Sequence, residues 1–272
     1  MAKTVLISGG ATGIGRAIAS HLASLGHDLV LLSRNQARLD DTAQVLSSHG
    51  VKVHVERCDL REVETIEPVM RHILNTHNIG YLVNNAAANF ICPTETLSLG
   101  GYRAITDTVS TGSFMLTKCC GEHWIRHHVP GRVVNISASY AKGAGPYVVP
   151  SAMAKAALEA MTRSLAVEWG SKNIALNSIA LGLFPTPGAV SQLLPSPEMV
   201  DQVRSYIPSE QFGDLEEMSR LVHFLLFESG TYLTGETIRL DGAFYHASGP
   251  GPFFDLLKNR DEGFWKGLRK KQ

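Results

Sequence analysis

Short apolar runs alternate with longer stretches in which apolar residues recur at helical spacing. The runs are TVLIS (4–8), DLVLLS (28–33), VKVHVE (51–56), YLVNN (81–85), RVVNIS (132–137), ALNSIA (175–180) and ETIRL (236–240). Several are nearly continuous in valine, isoleucine and leucine, the pattern of strands covered on both faces. The helical stretches lie near 13–25, 36–49, 62–77, 98–127, 151–170 and 214–228. Strand–helix alternation predicts an α/β domain, a parallel sheet of seven strands with helices on both faces. Internal repeats and low-complexity blocks are absent from the pattern. The segment LGLFPTPGAVSQLLPSP (181–197) breaks it with prolines and glycines and reads as a long loop, the start of a substrate lid near 181–210. One domain, 1–246, is expected, followed by a tail over 247–272 that ends basic and aromatic.

Composition narrows the function classes. Of 272 residues, 44% are hydrophobic, enough for a sizeable core. Lysine plus arginine and aspartate plus glutamate each total 25, so the balance gives no support for nucleic acid or a membrane surface as partner. The N-terminal apolar run is too short for a signal peptide, and no segment reaches the length of a membrane span. The four cysteines, Cys58, Cys92, Cys119 and Cys120, lack metal-ligand spacing and read as reduced thiols. A soluble cytoplasmic protein is the expectation.

The first strand runs into SGGATGIGRAIA (8–19), with glycines at 9, 13 and 15 between strand and helix. Gly9 permits a tight turn, while Gly13 and Gly15 leave room for backbone to approach a pyrophosphate at the helix N-terminus. Thr12 and Ile14 complete that loop. The second strand ends in Ser33 and Arg34, with no carboxylate to bind a ribose 2′-hydroxyl. An arginine and a serine hydroxyl there favour a 2′-phosphate, and so NADPH over NADH. Asp59, closing the third strand beside Leu60, is a candidate for the adenine amine, with a helix N-cap as the alternative.

The spacing Gly9-x-x-x-Gly13-x-Gly15, the NNAA at 84–87 and Lys155 on a helix resemble the short-chain dehydrogenase/reductase family, over about residues 3–245. The resemblance implies a single doubly wound Rossmann domain. It also implies that Asn85 and Ala86 line the cofactor, that Lys155 binds the nicotinamide ribose, and that Gly182 and Thr186 border the nicotinamide. It further implies a tyrosine four residues before the lysine, and here that position is Ser151. A narrower resemblance covers the difference. NNAAANF (84–90), SASYAKGAG (137–145), VVPSAMAK (148–155) and AMTRSLAVEWG (160–170) are similar to the mitochondrial-type 2,4-dienoyl-CoA reductases. In that group a serine replaces the usual tyrosine, and a tyrosine eleven positions upstream, here Tyr140, faces the substrate together with an asparagine, here Asn89.

That resemblance implies an acyl-CoA substrate and two hydrogen-bond donors, Tyr140 and Asn89, at the thioester oxygen, with Lys155 and Ser151 sharing a helix face behind them. Plainer roles stand beside these: helix entry for Ser151 after Pro150, loop packing for Tyr140, and loop hydrogen bonding for Asn89. Thr111 stands where many relatives carry an asparagine that supports the lysine, and Leu181-Gly182 replaces the usual proline–glycine. Ser137 and Ser139 both lie near the family's catalytic serine, with Ser139 the better match in spacing. Lys266, Arg269, Lys270 and Lys271 would attract CoA phosphates or simply form a frayed basic end. The resemblance also implies that two long helices pair across subunits, in a homo-oligomer, a tetramer. A ketone or alcohol reductase and a non-catalytic dinucleotide sensor are the other readings of the same residues.

Overall fold

A computed structural model describes residues 4–89, 91–186 and 197–247 of the chain. Seven strands, β1 (Thr4–Ser8), β2 (Leu29–Ser33), β3 (Val53–Arg57), β4 (Ile79–Asn84), β5 (Gly131–Ala138), β6 (Ile174–Leu181) and β7 (Thr237–Leu240), form one sheet in the order β3-β2-β1-β4-β5-β6-β7. Every neighbouring pair is parallel. The helices are α1 (Gly13–Ser24), α2 (Gln36–Ser47), α3 (Val63–Thr76), α4 (Leu99–Thr106), α5 (Gly112–Arg126), α6 (Val149–Trp169), α7 (Pro197–Ser205), α8 (Leu215–His223) and a short α9 (Phe244–Ala247). The predicted helix at 98–127 is therefore two helices joined by one wide π turn, Asp107–Thr111. Part of the predicted lid, 187–196, and the tail from 248 onward lie outside the described residues.

Strand alternation divides the core. Val5, Ile7, Leu29, Leu31, Val134 and Ile179 point to one face and pack with Ile18 and Leu22 of α1, Leu39 of α2, and Met218 and Val222 of α8. Their neighbours Leu6, Val30, Leu32, Val133 and Leu176 point to the other, against Ile66 and Met70 of α3 and Leu116 and Trp124 of α5. Both faces are apolar because both are covered, which is why the runs read as continuous rather than alternating. Local chemistry sets the helix starts. Asn35 accepts from the Arg38 amide at 3.0 Å, Ser98 from Gly101 at 3.1 Å, and Asp214 from Glu216 and Glu217 at 2.6 and 3.1 Å.

A polar ladder crosses the buried centre. Asn84 donates to Thr117 and to Asn135, Asn135 donates to Thr162, and Thr162 meets Ser178, all at 2.7–2.8 Å. These side chains tie β4, β5 and β6 to the helices on one face. Truncating one of them would strand its buried partners, at about 1–3 kcal/mol for each group left unsatisfied. The strand order reverses between β1 and β4, so a crevice opens at the carboxyl ends of these two strands, the place where open α/β sheets bind ligands.

Candidate active site

The crevice begins at the turn after β1. Gly9 has φ +66°, which favours glycine, and donates to the Leu32 carbonyl at 2.7 Å. A Cβ on Gly15 would lie 2.2 Å from the Gly9 carbonyl oxygen and 2.5 Å from Nδ2 of Asn85, so only glycine fits there. Thr12, extended at φ −151°, makes no side-chain cap to α1, whose first turn carries no acidic residue. The N-terminal amides of α1 are thus left for an anion, whereas α2, α4 and α8 cap theirs with side chains. Ile14 packs against the core behind the loop. Thr186 closes the other side, its methyl carbon 3.7 Å from where a Cβ of Gly13 would stand.

The two adjacent asparagines divide their work. Asn84 serves the buried ladder. Asn85 leaves the strand and donates its side-chain amide to the carbonyls of Ser8 and Gly9 at 3.0 and 3.2 Å, while the Asn85 and Ala86 amides donate to Ser8 Oγ. The glycine turn and the NNAA segment therefore brace each other, which fits a dinucleotide lying across them. At the outer end, Ser33 ends β2 half-buried and Arg34 is exposed beyond it. β3 ends at Arg57, not at the predicted Asp59. The Asp59 carboxylate accepts two bonds from Nε of Arg61, at 3.0 and 3.1 Å, and a third from Nη2. This contact holds its carboxyl below the usual range, and Arg34 adds to the effect. Asp59 does not cap α3, whose N-cap is Glu62. Leu60 is buried against Gly112 of α5, at the side of the crevice.

The reaction end lies above β5 and α6. α6 begins at Val149, with Pro150 in its first turn, so Ser151 sits inside the helix and is not its cap. Its hydroxyl, 1% exposed, lies 2.9 Å from the phenol oxygen of Tyr140. Tyr140 stands in the single 3₁₀ turn, Ser139–Ala141, that follows β5. Burial pushes its phenol up, partly offset by the bond to Ser151, so it remains an O–H donor at neutral pH. One turn along α6, the buried Lys155 donates through Nζ to the Ile136 carbonyl, and burial lowers its pKa to about 8. Thr111 lies in the π turn, and the lysine reaches a strand carbonyl directly.

Asn89 lies in the loop after β4, and Tyr140 in the turn after the neighbouring β5, so both leave the sheet at its carboxyl edge. The Asn89 Oδ1, an acceptor, is buried with no hydrogen-bond partner among the described residues. No hydrogen bond joins it to Tyr140. Ser139, the better match to the family's serine, is committed elsewhere: its Oγ donates to the Asp241 carboxylate at 2.8 Å. Asp241 also accepts from the Tyr245 amide at 3.1 Å, and its Cα lies 2.8 Å from where a Cβ of Gly182 would stand. Sequence reasoning passed over Asp241. Its one signal was a carboxylate at the carboxyl end of a strand, where α/β sheets assemble their sites. Ser137 is likewise committed, donating to the buried Glu159 at 2.8 Å.

The comparisons bear on the family and the fold. A family model described as enoyl-(acyl carrier protein) reductase matches residues 9–244. A probable 2,4-dienoyl-CoA reductase, (2E)-enoyl-CoA-producing, from Bacillus subtilis is 35% identical over 88% of this chain and 95% of its own. A probable 2,4-dienoyl-CoA reductase 3, (3E)-enoyl-CoA-producing, from Caenorhabditis elegans is 34% identical over 97% and 87%. The crystal structure of a short chain dehydrogenase from Bacillus anthracis superposes with a TM-score of 0.82 at 31% identity, covering 91% of this chain and 98% of that one. A putative NAD(P) dependent gluconate 5-dehydrogenase from Beutenbergia cavernae, solved with bound NADP, gives 0.85 at 26% identity over 90% and 98%. With a seven-stranded parallel sheet, a glycine turn braced by Asn85 and a buried lysine one turn beyond Ser151, the chain belongs to the short-chain dehydrogenase/reductase family.

Proposed function

We propose that this protein reduces a 2,4-dienoyl thioester of CoA, or a similar conjugated acyl-CoA, with NADPH. The observation that carries this reading is the pairing of Tyr140 with Ser151: the hydroxyl next to Lys155 is a short serine, and the phenol has moved to the loop above it. A ketone reductase needs a proton donor beside the carbon that receives hydride. In a conjugated thioester the reduced carbon is C5, and the electron pair travels through C4, C3 and C2 to the carbonyl oxygen. The protein's task is then to hold a dienolate oxygen several atoms away from the hydride.

The residues Gly9, Thr12, Gly13, Ile14, Gly15, Ser33, Arg34, Asp59, Leu60, Asn85, Ala86, Gly182 and Thr186 would line the dinucleotide, with Lys155 on its nicotinamide ribose. When bound, the reduced nicotinamide supplies the hydride. Ser151 donates to the Tyr140 oxygen, which leaves the phenol proton for the thioester oxygen. The Asn89 amide donates to the same oxygen from the neighbouring loop. Each such donor is worth about 2.7–4 kcal/mol of barrier. A proton from water at the α-carbon then leaves the C3–C4 double bond of a 3-enoyl-CoA. Relatives named for (2E)- and (3E)-enoyl products make the site of protonation part of the test.

The supporting facts are the raised phenol pKa and the commitment of Ser139 to Asp241, which removes the serine that a ketone reductase would use. The direct test mixes protein, NADPH and 2,4-hexadienoyl-CoA, follows absorbance, and reads the product double bond by NMR. Turnover of β-ketoacyl or steroid ketones without turnover of the dienoyl thioester would replace this reading with the ketone one. Binding of NADPH with no turnover of any substrate would indicate a sensor.

The assembly we propose is a homotetramer. Met153, Ala157, Ala160, Ser164 and Val167 form an exposed stripe of small and apolar residues along α6, and Phe114 stands exposed on α5. Light scattering checks the assembly. No helix among the described residues is long and apolar enough to cross a membrane. The four cysteines are unpaired, in keeping with the cytoplasmic location we propose.

A further inference from the structure

We infer that Arg57, at the end of β3, is a second cationic contact for the 2′-phosphate of the dinucleotide and helps set the preference for NADPH over NADH. The inference rests on the NADPH reading above and adds to it a residue that the glycine turn and the β2 end do not supply.

The sheet register places it. Ser33 of β2 is the direct partner of Arg57 on β3, and the Cys58 amide donates to the Ser33 carbonyl at 2.9 Å. Partners in a parallel pair point to the same face, so the Arg57 side chain rises on the same side as the Ser33 hydroxyl. It then bends over the strand ends, and its Nε donates to the Arg34 carbonyl at 3.3 Å. That bond ties the guanidinium to the backbone of the very residue whose side chain is expected to meet the phosphate. A neutral carbonyl uses one donor and none of the charge, and the Nη donors remain.

The neighbouring arginines differ. Arg61 is spent on Asp59, and Arg16 lies 3.6 Å from Asp41. Arg34 and Arg57 are both exposed, and neither forms an ion pair among the described residues. The first turn of α2, which begins two residues after Arg34, carries no acidic residue. Two guanidiniums beside a serine hydroxyl, neither in ion-pair contact with a carboxylate among the described residues although Asp59 lies close enough to feel Arg34, suit a dianionic monoester whose oxygens accept from several directions. A ribose 2′-hydroxyl would offer them nothing to neutralise.

The test uses the full chain and compares wild type with Arg57→Gln and Arg57→Lys. Glutamine keeps a donor for the Arg34 carbonyl and loses the charge. The expected result is a rise of about tenfold in the NADPH KM for Arg57→Gln, the lower end of what a hydrogen bond to a charged group supplies, because the site is exposed and screened. The NADH KM and the NADH-driven turnover should stay unchanged, which also reports an intact fold. Arg57→Lys should recover part of the loss, and added salt should shrink the wild-type preference more than that of Arg57→Gln.

Titration with adenosine 2′-monophosphate should weaken in parallel. An Arg57→Gln protein with the wild-type NADPH-to-NADH ratio would overturn the inference. So would a change confined to the acyl-CoA KM, since the 3′-phosphate of CoA would then be the group that Arg57 meets. A wild type that prefers NADH would instead remove the NADPH reading beneath it.

Discussion

Replacing Tyr140 with phenylalanine removes one oxygen and keeps the ring. In the proposed reaction that oxygen donates to the thioester oxygen, and loss of one oxyanion donor costs about 2.7–4 kcal/mol, a fall in kcat on the order of 10²–10³. The same oxygen is the partner of Ser151 at 2.9 Å, and Ser151 is 1% exposed. An orphaned buried hydroxyl costs about 1–3 kcal/mol of stability. At about 2–4 °C of Tm per kcal/mol for a domain of this size, a loss of a few degrees is expected, too small to unfold the protein at assay temperature.

Catalysis and stability thus separate. NADPH oxidation with 2,4-hexadienoyl-CoA should fall by the larger factor, while NADPH affinity, read by fluorescence titration, stays at the wild-type value. Ser151→Ala leaves the phenol in place but removes the hydroxyl that orients it, and about a tenfold loss is expected. Because the two act as one unit, Tyr140→Phe/Ser151→Ala should match Tyr140→Phe alone, not the product of the single losses. A Tyr140→Phe enzyme that keeps more than a tenth of wild-type kcat would refute the donor role. Strict multiplicativity would show instead that serine and tyrosine act on separate atoms.

Two more predictions rest on the cofactor side. Lys155 carries its charge below its folded pKa of about 8, so kcat/KM for NADPH, a property of the free enzyme, should decline as pH rises through about 8. Tyr140→Phe should leave that alkaline limb in place, and a limb absent up to pH 10 would exclude a charged Lys155 from cofactor binding. The same depressed pKa makes the unfolded chain bind more protons between about 8 and 10.4, so this group's contribution to stability rises with pH across that window. Gly15→Ala would set a methyl 2.2 Å from the Gly9 carbonyl, forcing the turn apart; NADPH affinity should fall more than tenfold, and titration with full wild-type affinity would contradict the brace between Gly9, Gly15 and Asn85.

Elements whose identity is set by neighbours along the chain could be read before the structure. β1 lies where its apolar run was read, and the other strands end within two residues of theirs, because burial on both faces leaves a continuous hydrophobic signature. The glycine turn was legible because three glycines between strand and helix have few other uses. Contacts between distant residues were not. Ser139 and Asp241 are 102 positions apart, and nothing local marks the aspartate as its acceptor. Asn84 and Asn85 look alike in NNAA, yet one feeds a buried ladder and the other clamps Gly9, a division that the strand's last pleat decides. Nothing local marks Arg57, and only the register sets it opposite Ser33.

Ser151 shows how position and chemistry separate within one fold. The helix that usually delivers a phenol delivers a hydroxymethyl group here, and a side chain that short cannot reach outward from a buried first turn. Its remaining use is inward, against a phenol that a neighbouring turn supplies. Lys155 keeps its place one turn further on, and in the proposed reaction the demand on it, a cation at the nicotinamide ribose, would be the same whichever substrate carbon is reduced. What moves is the donor, and it moves in the direction that a longer conjugated system requires: away from the helix beside the cofactor and onto the loop edge shared by β4 and β5. A substrate whose negative charge stayed at the reduced carbon's own oxygen would gain nothing from that displacement, so under the proposed reaction it is the pairing of Tyr140 with Ser151, and not Lys155, that would discriminate between substrates.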